Sequence, residues 1–143
     1  MKAWVLANFY LARKMDKLAE RIDEEIDRSS LLLKIDTATL FEVIFNLNDK
    51  KRRVVNFKVL HSMLLKQLYL QEMGIISRYI KGQTLEEIGK EYEISKSTVS
   101  RRLKQAIDKC IKIFESLQFT EERLEKEYAE IPLIYKAVRK FKC

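Results

Sequence analysis

The fold is decided by residues 84–105, which read TLEEIGKEYEISKSTVSRRLKQ. Thr84, followed three residues later by Glu87, has the pattern of a capping box at the start of a helix. Gly82 suits the left-handed position at which a preceding helix ends. The pattern therefore predicts that one helix ends near Gly82 and that a second helix begins after Thr84.

A glycine on the buried face of this helix predicts that another helix crosses it closely. Leu85, Ile88 and Tyr92 share one face of the helix, and Gly89 lies on that face too. Glycine inside a helix costs about 1 kcal/mol relative to alanine, so a packing reason is expected. After a turn, Ser95 can cap the crossing helix.

The crossing helix has an apolar stripe and a basic outer face. Val99, Leu103 and Ala106 recur at helical spacing and are expected to be buried. The other positions carry four basic groups and no carboxylate: Lys96, Ser97, Thr98, Ser100, Arg101, Arg102, Lys104 and Gln105. A solvated helical hairpin is the alternative interpretation, but caps, glycine and outer-face chemistry together favour DNA binding.

This arrangement resembles the helix-turn-helix of the sigma-70 region 4 type. The resemblance covers about residues 60–114 and rests on Glu87-Ile88-Gly89, Ile94-Ser95, Thr98-Val99, Leu103 and Ala106, led by Ile75-Ile76 and Tyr79-Ile80-Lys81-Gly82. One departure is Glu93, which stands where such motifs usually have glycine. The turn is then a variant, or Glu93 adopts a left-handed backbone.

The resemblance also implies which residues contact double-stranded DNA. The second helix, about residues 95–106, would enter the major groove with its N-terminal part toward base edges. Arg101 is the first candidate for a guanine contact, because its guanidinium matches the O6 and N7 acceptors. The full set of predicted DNA-binding residues is Lys96, Ser97, Thr98, Ser100, Arg101, Arg102 and Lys104, with Gln83, Thr84 and Lys90 holding the DNA backbone from the first helix.

Composition and charge agree with a helical protein that binds an acidic partner. The chain has 143 residues, a formal net charge of +7, three glycines and one proline. Few helix breakers predict an all-α helical bundle, and the positive charge favours an acidic polymer or surface. Cys110 and Cys143 form no metal-ligand spacing, which favours a reduced, cytoplasmic setting. We expect no membrane-spanning segment.

Residues 1–28 are predicted to form one long helix. Its apolar residues recur at spacings of three and four: Leu11, Met15, Leu18, Ile22 and Ile26. Such a helix could pack on its own domain, form a homodimer or dock another protein. The first interpretation is favoured, since the stripe is short for a coiled coil.

Three further helices are predicted between this helix and the central motif. One covers residues 37–47, capped by Asp36, closed at Asn48-Asp49, and apolar enough to lie in the core. A second covers 51–61 and is preferred over a small β-element, and a third covers 60–81 with a break near Gly74. The basic run 50–53 is either solvated or contacts phosphate or a partner protein.

The C-terminal part is predicted to be a packed helix with a basic edge, or else an arm along DNA. Thr120 can cap one helix, and Pro132 either kinks it or starts another. The predicted divisions of the chain are an N-terminal helical region 1–58, a helix-turn-helix region 59–118 and a C-terminal helix 119–143.

The sequence contains no group of residues typical of catalysis or of a cofactor. His61 is the single histidine and has no acid or cysteine at ligand spacing. We therefore expect no enzyme activity, no cofactor and no metal. The preferred function is a bacterial or phage-type, sequence-specific transcription regulator. The alternatives are a sigma-like factor or adaptor that binds RNA polymerase through protein contacts, and a recognition subunit for phage DNA packaging.

Overall fold

The structure, a computed structural model, describes residues 1–30 and 37–142. No strand occurs in these two ranges, so the predicted all-α class is confirmed. The Asp36 cap lies outside the described residues. The helices are α1 (Lys2–Leu11), α2 (Met15–Ser30), α3 (Thr37–Leu65), α4 (Leu70–Ile80), α5 (Leu85–Tyr92), α6 (Lys96–Ser116), α7 (Glu121–Tyr128) and α8 (Pro132–Phe141).

The predicted single helix over residues 1–28 is wrong, because the chain turns between α1 and α2. The Lys14 N–H donates to the Leu11 carbonyl at 2.8 Å within this turn. α1 is apolar almost all round and contacts α8, α4, α6 and α3, whereas α2 is amphipathic and packs along α3. One straight helix could not take both positions, because a helix without a polar face must be surrounded by other elements, whereas an amphipathic helix lies at the surface. The buried residues of α1 are Ala3, Trp4, Val5, Leu6, Ala7, Asn8 and Leu11.

α2 and α3 run antiparallel. Lys51 Nζ of α3 lies 2.6 Å from Asp23 Oδ1 of α2. Lys58, later in α3, pairs with Asp16, which is earlier in α2. Ile22 is buried in this pair. The apolar stripe of α2 therefore packs within its own chain.

The predicted helix end at Asn48-Asp49 is wrong, because α3 continues from Thr37 to Leu65. The prediction that its first half lies in the core is also wrong: Phe41 and Phe45 are 75% and 65% exposed. All buried residues of α3 lie at or after Val54. A helix buries its apolar residues only where other elements surround it, and composition does not reveal where that is.

The basic run 50–53 joins helices within the protein. Besides the Lys51–Asp23 pair, Arg53 Nη2 lies 3.1 Å from Asp49 Oδ2, and Arg53 Nη1 donates to the Glu127 carbonyl at 3.0 Å. Arg52 Nη2 lies 3.0 Å from Asp49 Oδ1 and 3.5 Å from Glu127 Oε1 of α7. Three of these four cations are thus used to hold α2, α3 and α7 together. Residues 51–61 lie within α3, so the predicted preference for a helix over a small β-element in this range is confirmed.

The predicted break near Gly74 is wrong, since the chain leaves the helix at residues 66–69 and α4 runs through Gly74. Tyr69 N–H donates to Glu72 Oε1 at 2.9 Å at the start of α4. A β-carbon at Gly74 would lie 2.0 Å from the Tyr92 hydroxyl. The glycine therefore makes room for Tyr92 of α5 and does not end a helix.

The C-terminal helices follow the sequence signals closely. Thr120 Oγ1 accepts from the Arg123 N–H at 3.1 Å, and Pro132 is the first residue of α8. α8 packs on α1 and buries Ile134, Ala137 and Val138, which confirms a packed C-terminal helix. The divisions at residues 58 and 118 stay predictions. None of the helices in the described ranges is long and apolar enough to cross a bilayer.

Candidate nucleic-acid interface

Both helix starts in the central motif have the predicted side-chain caps. Thr84 Oγ1 accepts from the Glu87 N–H at 3.1 Å, but within the described residues no bond joins the Glu87 carboxylate to the Thr84 N–H, so only half of the predicted capping box forms. Ser95 Oγ accepts from the Thr98 N–H at 3.2 Å. Gly82 has a φ of +95°, the left-handed backbone expected before α5. These contacts set where α5 and α6 begin.

The close approach predicted at Gly89 is confirmed, and its nearest neighbour is backbone. A β-carbon there would lie 2.7 Å from the Ile94 carbonyl oxygen and 3.5 Å from Val99 Cγ2. The Ile94 N–H also donates to the Gly89 carbonyl at 2.9 Å. The absence of a side chain at residue 89 therefore lets the turn fold tightly against α5.

Glu93 takes the left-handed backbone, with φ 57° and ψ 41°. This conformation crowds the β-carbon of an L-residue and costs roughly 1–2 kcal/mol, part of which glycine avoids. We therefore expect Glu93→Gly to raise the free energy of unfolding by about 1 kcal/mol. Chemical denaturation measures the change. Lys90→Gly, at a right-handed helical position, should instead lower stability by about 1 kcal/mol. Equal effects of the two variants would contradict the strain at Glu93.

α6 buries its apolar side and exposes its basic side. Val99, Leu103 and Ala106 are buried, as predicted. Thr84, the N-cap of α5, and Lys90 of α5 are exposed. Lys90 lines one surface depression together with Ser95 and Lys96 at the turn. The exposed candidates on α6 are Lys96, Ser97, Ser100, Arg101 and Lys104.

The other three candidates are half-buried and differ in their surroundings. Thr98 Oγ1 lies 2.8 Å from Ser95 Oγ, so its hydroxyl takes part in the cap. Arg102 Nη1 donates to Gln71 Oε1 of α4. Gln83 Oε1 is buried and has no hydrogen-bond partner in the described part of the protein. Sequence reasoning missed Gln71, because no local pattern links residues 31 positions apart.

Contacts from α4 hold the helix pair in place. Lys109 Nζ of α6 lies 2.8 Å from Glu72 Oε1, and Glu72 is only 6% exposed. Arg78 Nη1 donates to the Tyr92 hydroxyl at 2.7 Å, and its Nε pairs with Glu91. α4 therefore contacts both α5 and α6 and joins them through these side chains.

The two groups most often used in catalysis or metal binding are part of the packing. His61 Nδ1 lies 2.9 Å from Asn8 Oδ1, which links α3 to α1, and burial lowers the pKa of His61. Burial raises the pKa of the Cys110 thiol to about 12, so it stays protonated at neutral pH. No cluster of three or more potential metal ligands occurs in residues 1–30 and 37–142.

A known protein family matches this part of the chain. The family described as Sigma-70, region 4 matches residues 64–112, about a third of the chain, from the last turn of α3 to α6. Neither the curated proteins nor the solved structures give a match. The matched segment contains both caps, Gly89 and the exposed basic side of α6. Residues 64–112 are therefore a sigma-70 region 4-like helix-turn-helix, a fold of a DNA-binding regulatory family.

Proposed function

We propose that the protein is a sequence-specific DNA-binding regulator of transcription that inserts α6 into the major groove. The observation that carries this proposal is the exposed side of α6, where Lys96, Arg101 and Lys104 stand without a carboxylate before Asp108. DNA phosphates attract such a surface, and base edges accept hydrogen bonds from arginine, lysine and serine.

The candidates divide into base-reading and backbone-binding residues. Arg101 and its exposed neighbours Ser97 and Ser100 are suited to base edges, while Thr84 and Lys90 are suited to phosphates. Arg102 would use its remaining guanidinium N–H groups for phosphate, since Nη1 is bonded to Gln71.

A second candidate function is an adaptor or assembly role through protein contacts. The exposed Phe41 and Phe45 on α3 favour it, because a large exposed apolar pair often marks a contact with another protein. An RNA polymerase-binding adaptor, a DNA-packaging subunit and a homodimer would each use such a surface. Measuring the size of the protein in solution, with and without Phe41→Ser and Phe45→Ser, separates self-association from the other two.

Selection of bound sequences from a random pool of double-stranded DNA tests the proposed function. We expect a recurring motif a few base pairs long to be enriched, since α6 offers few base-reading side chains. A pool carried through the same steps without protein is the control. Retention of DNA without enrichment of any motif would contradict sequence-specific binding and favour the adaptor.

A further inference from the structure

Four lysines outside the helix-turn-helix or at its margin lie together beside α5 and α6. We call them the flanking lysines: Lys2 of α1, Lys81 at the end of α4, and Lys140 and Lys142 at the end of α8. In the sequence they are up to 140 positions apart, and only the packing of α8 and α4 on α1 brings them together.

Two surface grooves connect these lysines to α6. A groove of about 390 Å³ is lined by Lys2 together with Ser100 and Lys104 of α6. A second groove of about 740 Å³ is lined by Lys2, Lys81, Lys140 and Lys142, and also by Gln83. The basic surface of α6 therefore continues past the start of α5 to the end of α8.

Most of the positive charge on this surface is not neutralised. In the described ranges, no carboxylate lies within ion-pair distance of Lys2, Lys81 or Lys140, whereas Lys142 pairs with Glu125 at 3.3 Å. Each groove also contains one acid. Asp108 lines the first groove and is not within ion-pair distance of any described lysine there, whereas Glu121 in the second groove is bound to the Met1 amino group.

The aromatic neighbours of these lysines are consistent with a positive local potential. Lys140 Nζ lies 4.3 Å from the centre of the Tyr10 ring, and Lys2 Nζ lies 5.7 Å from that of Tyr79. A hydrogen bond with Lys14 lowers the pKa of the Tyr10 hydroxyl, and the charges of Lys14 and Lys140 lower it further. An approaching phosphate would meet the same charges.

The start of α5 is where a duplex would meet this surface. In a helix-turn-helix, the first helix crosses the DNA backbone while the second occupies the major groove. Gln83 lies at that start and also lines the groove with the flanking lysines. We propose that Lys2, Lys81 and Lys140 bind the phosphate backbone of the duplex beyond the start of α5, so that the bound DNA extends onto α1 and α8. The inference rests on the proposed DNA binding.

The test compares two triple variants on random-sequence double-stranded DNA over a series of salt concentrations. Lys2→Gln, Lys81→Gln and Lys140→Gln together remove the three flanking lysines that have no ion pair and keep Lys142, which pairs with Glu125. Lys17→Gln, Arg21→Gln and Arg28→Gln remove the same charge from exposed positions of α2, so both variants lose three positive charges from a net charge of +7. Each lost phosphate contact reduces the slope of log K against log salt by about 0.9, hence by about 2.7 for three.

We expect the flanking variant to show the shallower slope and weaker binding, and the α2 variant to keep the wild-type slope. Equal slopes for the wild type and both variants, with DNA still bound, would overturn the inference and leave the proposed function intact. An equal reduction in both variants would overturn it too, because bulk charge alone then accounts for the change. If the wild-type protein fails to bind DNA at any salt concentration, both this inference and the proposed function are wrong.

Discussion

Gly89→Ala is expected to lower the free energy of unfolding by about 1–3 kcal/mol, the usual range for forcing an extra carbon into a filled site. The new β-carbon would lie 2.7 Å from the Ile94 carbonyl oxygen, which belongs to the backbone of a tight turn and cannot rotate away. Alanine favours a helix over glycine by about 1 kcal/mol, so a net loss means that the clash exceeds this gain. The turn would open and change the angle between α5 and α6.

Chemical denaturation of the wild type and variant measures this loss, and a DNA titration measures the accompanying loss of affinity. Lys90→Ala is the matched control for stability, because Lys90 is the next residue of α5 and is exposed. It should change stability by no more than about 0.5 kcal/mol. If Gly89→Ala proves as stable as the wild type, the close packing of the turn on α5 is wrong.

Arg101→Ala is expected to weaken binding to the selected DNA by about 1–3 kcal/mol, which is roughly 5–150-fold. Arg101 is exposed on the first turns of α6, where a guanidinium can reach guanine O6 and N7. The loss should be confined to the preferred sequence, and one position of the binding motif should become degenerate. Titrations with the preferred duplex and with single-base variants of it measure both effects.

Arg102→Ala is the matched comparison, since it removes the same charge one residue along the helix. If Arg102 contacts phosphate, its removal should weaken binding to all DNA sequences alike. It should also reduce the slope of log K against log salt by about 1. Arg102 also bonds to Gln71, so its variant needs a stability measurement beside the binding measurement. If neither substitution alters DNA affinity, α6 is not the helix that enters the groove.

The local features of the motif were predictable because each depends on residues within one or two helical turns. Thr84, Ser95 and Thr120 cap helices through bonds to N–H groups three residues away. Gly82 and Gly89 stand where the backbone conformation or the space excludes a β-carbon. The 3.6-residue period separated the buried from the exposed side of α6 for the same reason.

The wrong predictions concern surroundings that no local pattern encodes. The apolar stripe of α2 does not indicate the turn that separates it from α1. The apolar residues of α3 do not indicate that Phe41 and Phe45 stay exposed beside the described helices. Gly74 predicts a break in the helix by residue type, whereas in the structure it accommodates the hydroxyl of Tyr92 eighteen residues away.

The sequence by itself determined the all-α class, the starts of α5 and α6 and the basic face of α6, because backbone hydrogen bonds and helical periodicity act over short separations. The tertiary structure alone decided that α1 is a central helix, that Arg102 binds Gln71 and that Lys2, Lys81 and Lys140 share one surface. These outcomes depend on which helices meet, and burial and charge proximity between distant segments exist only once the chain has packed.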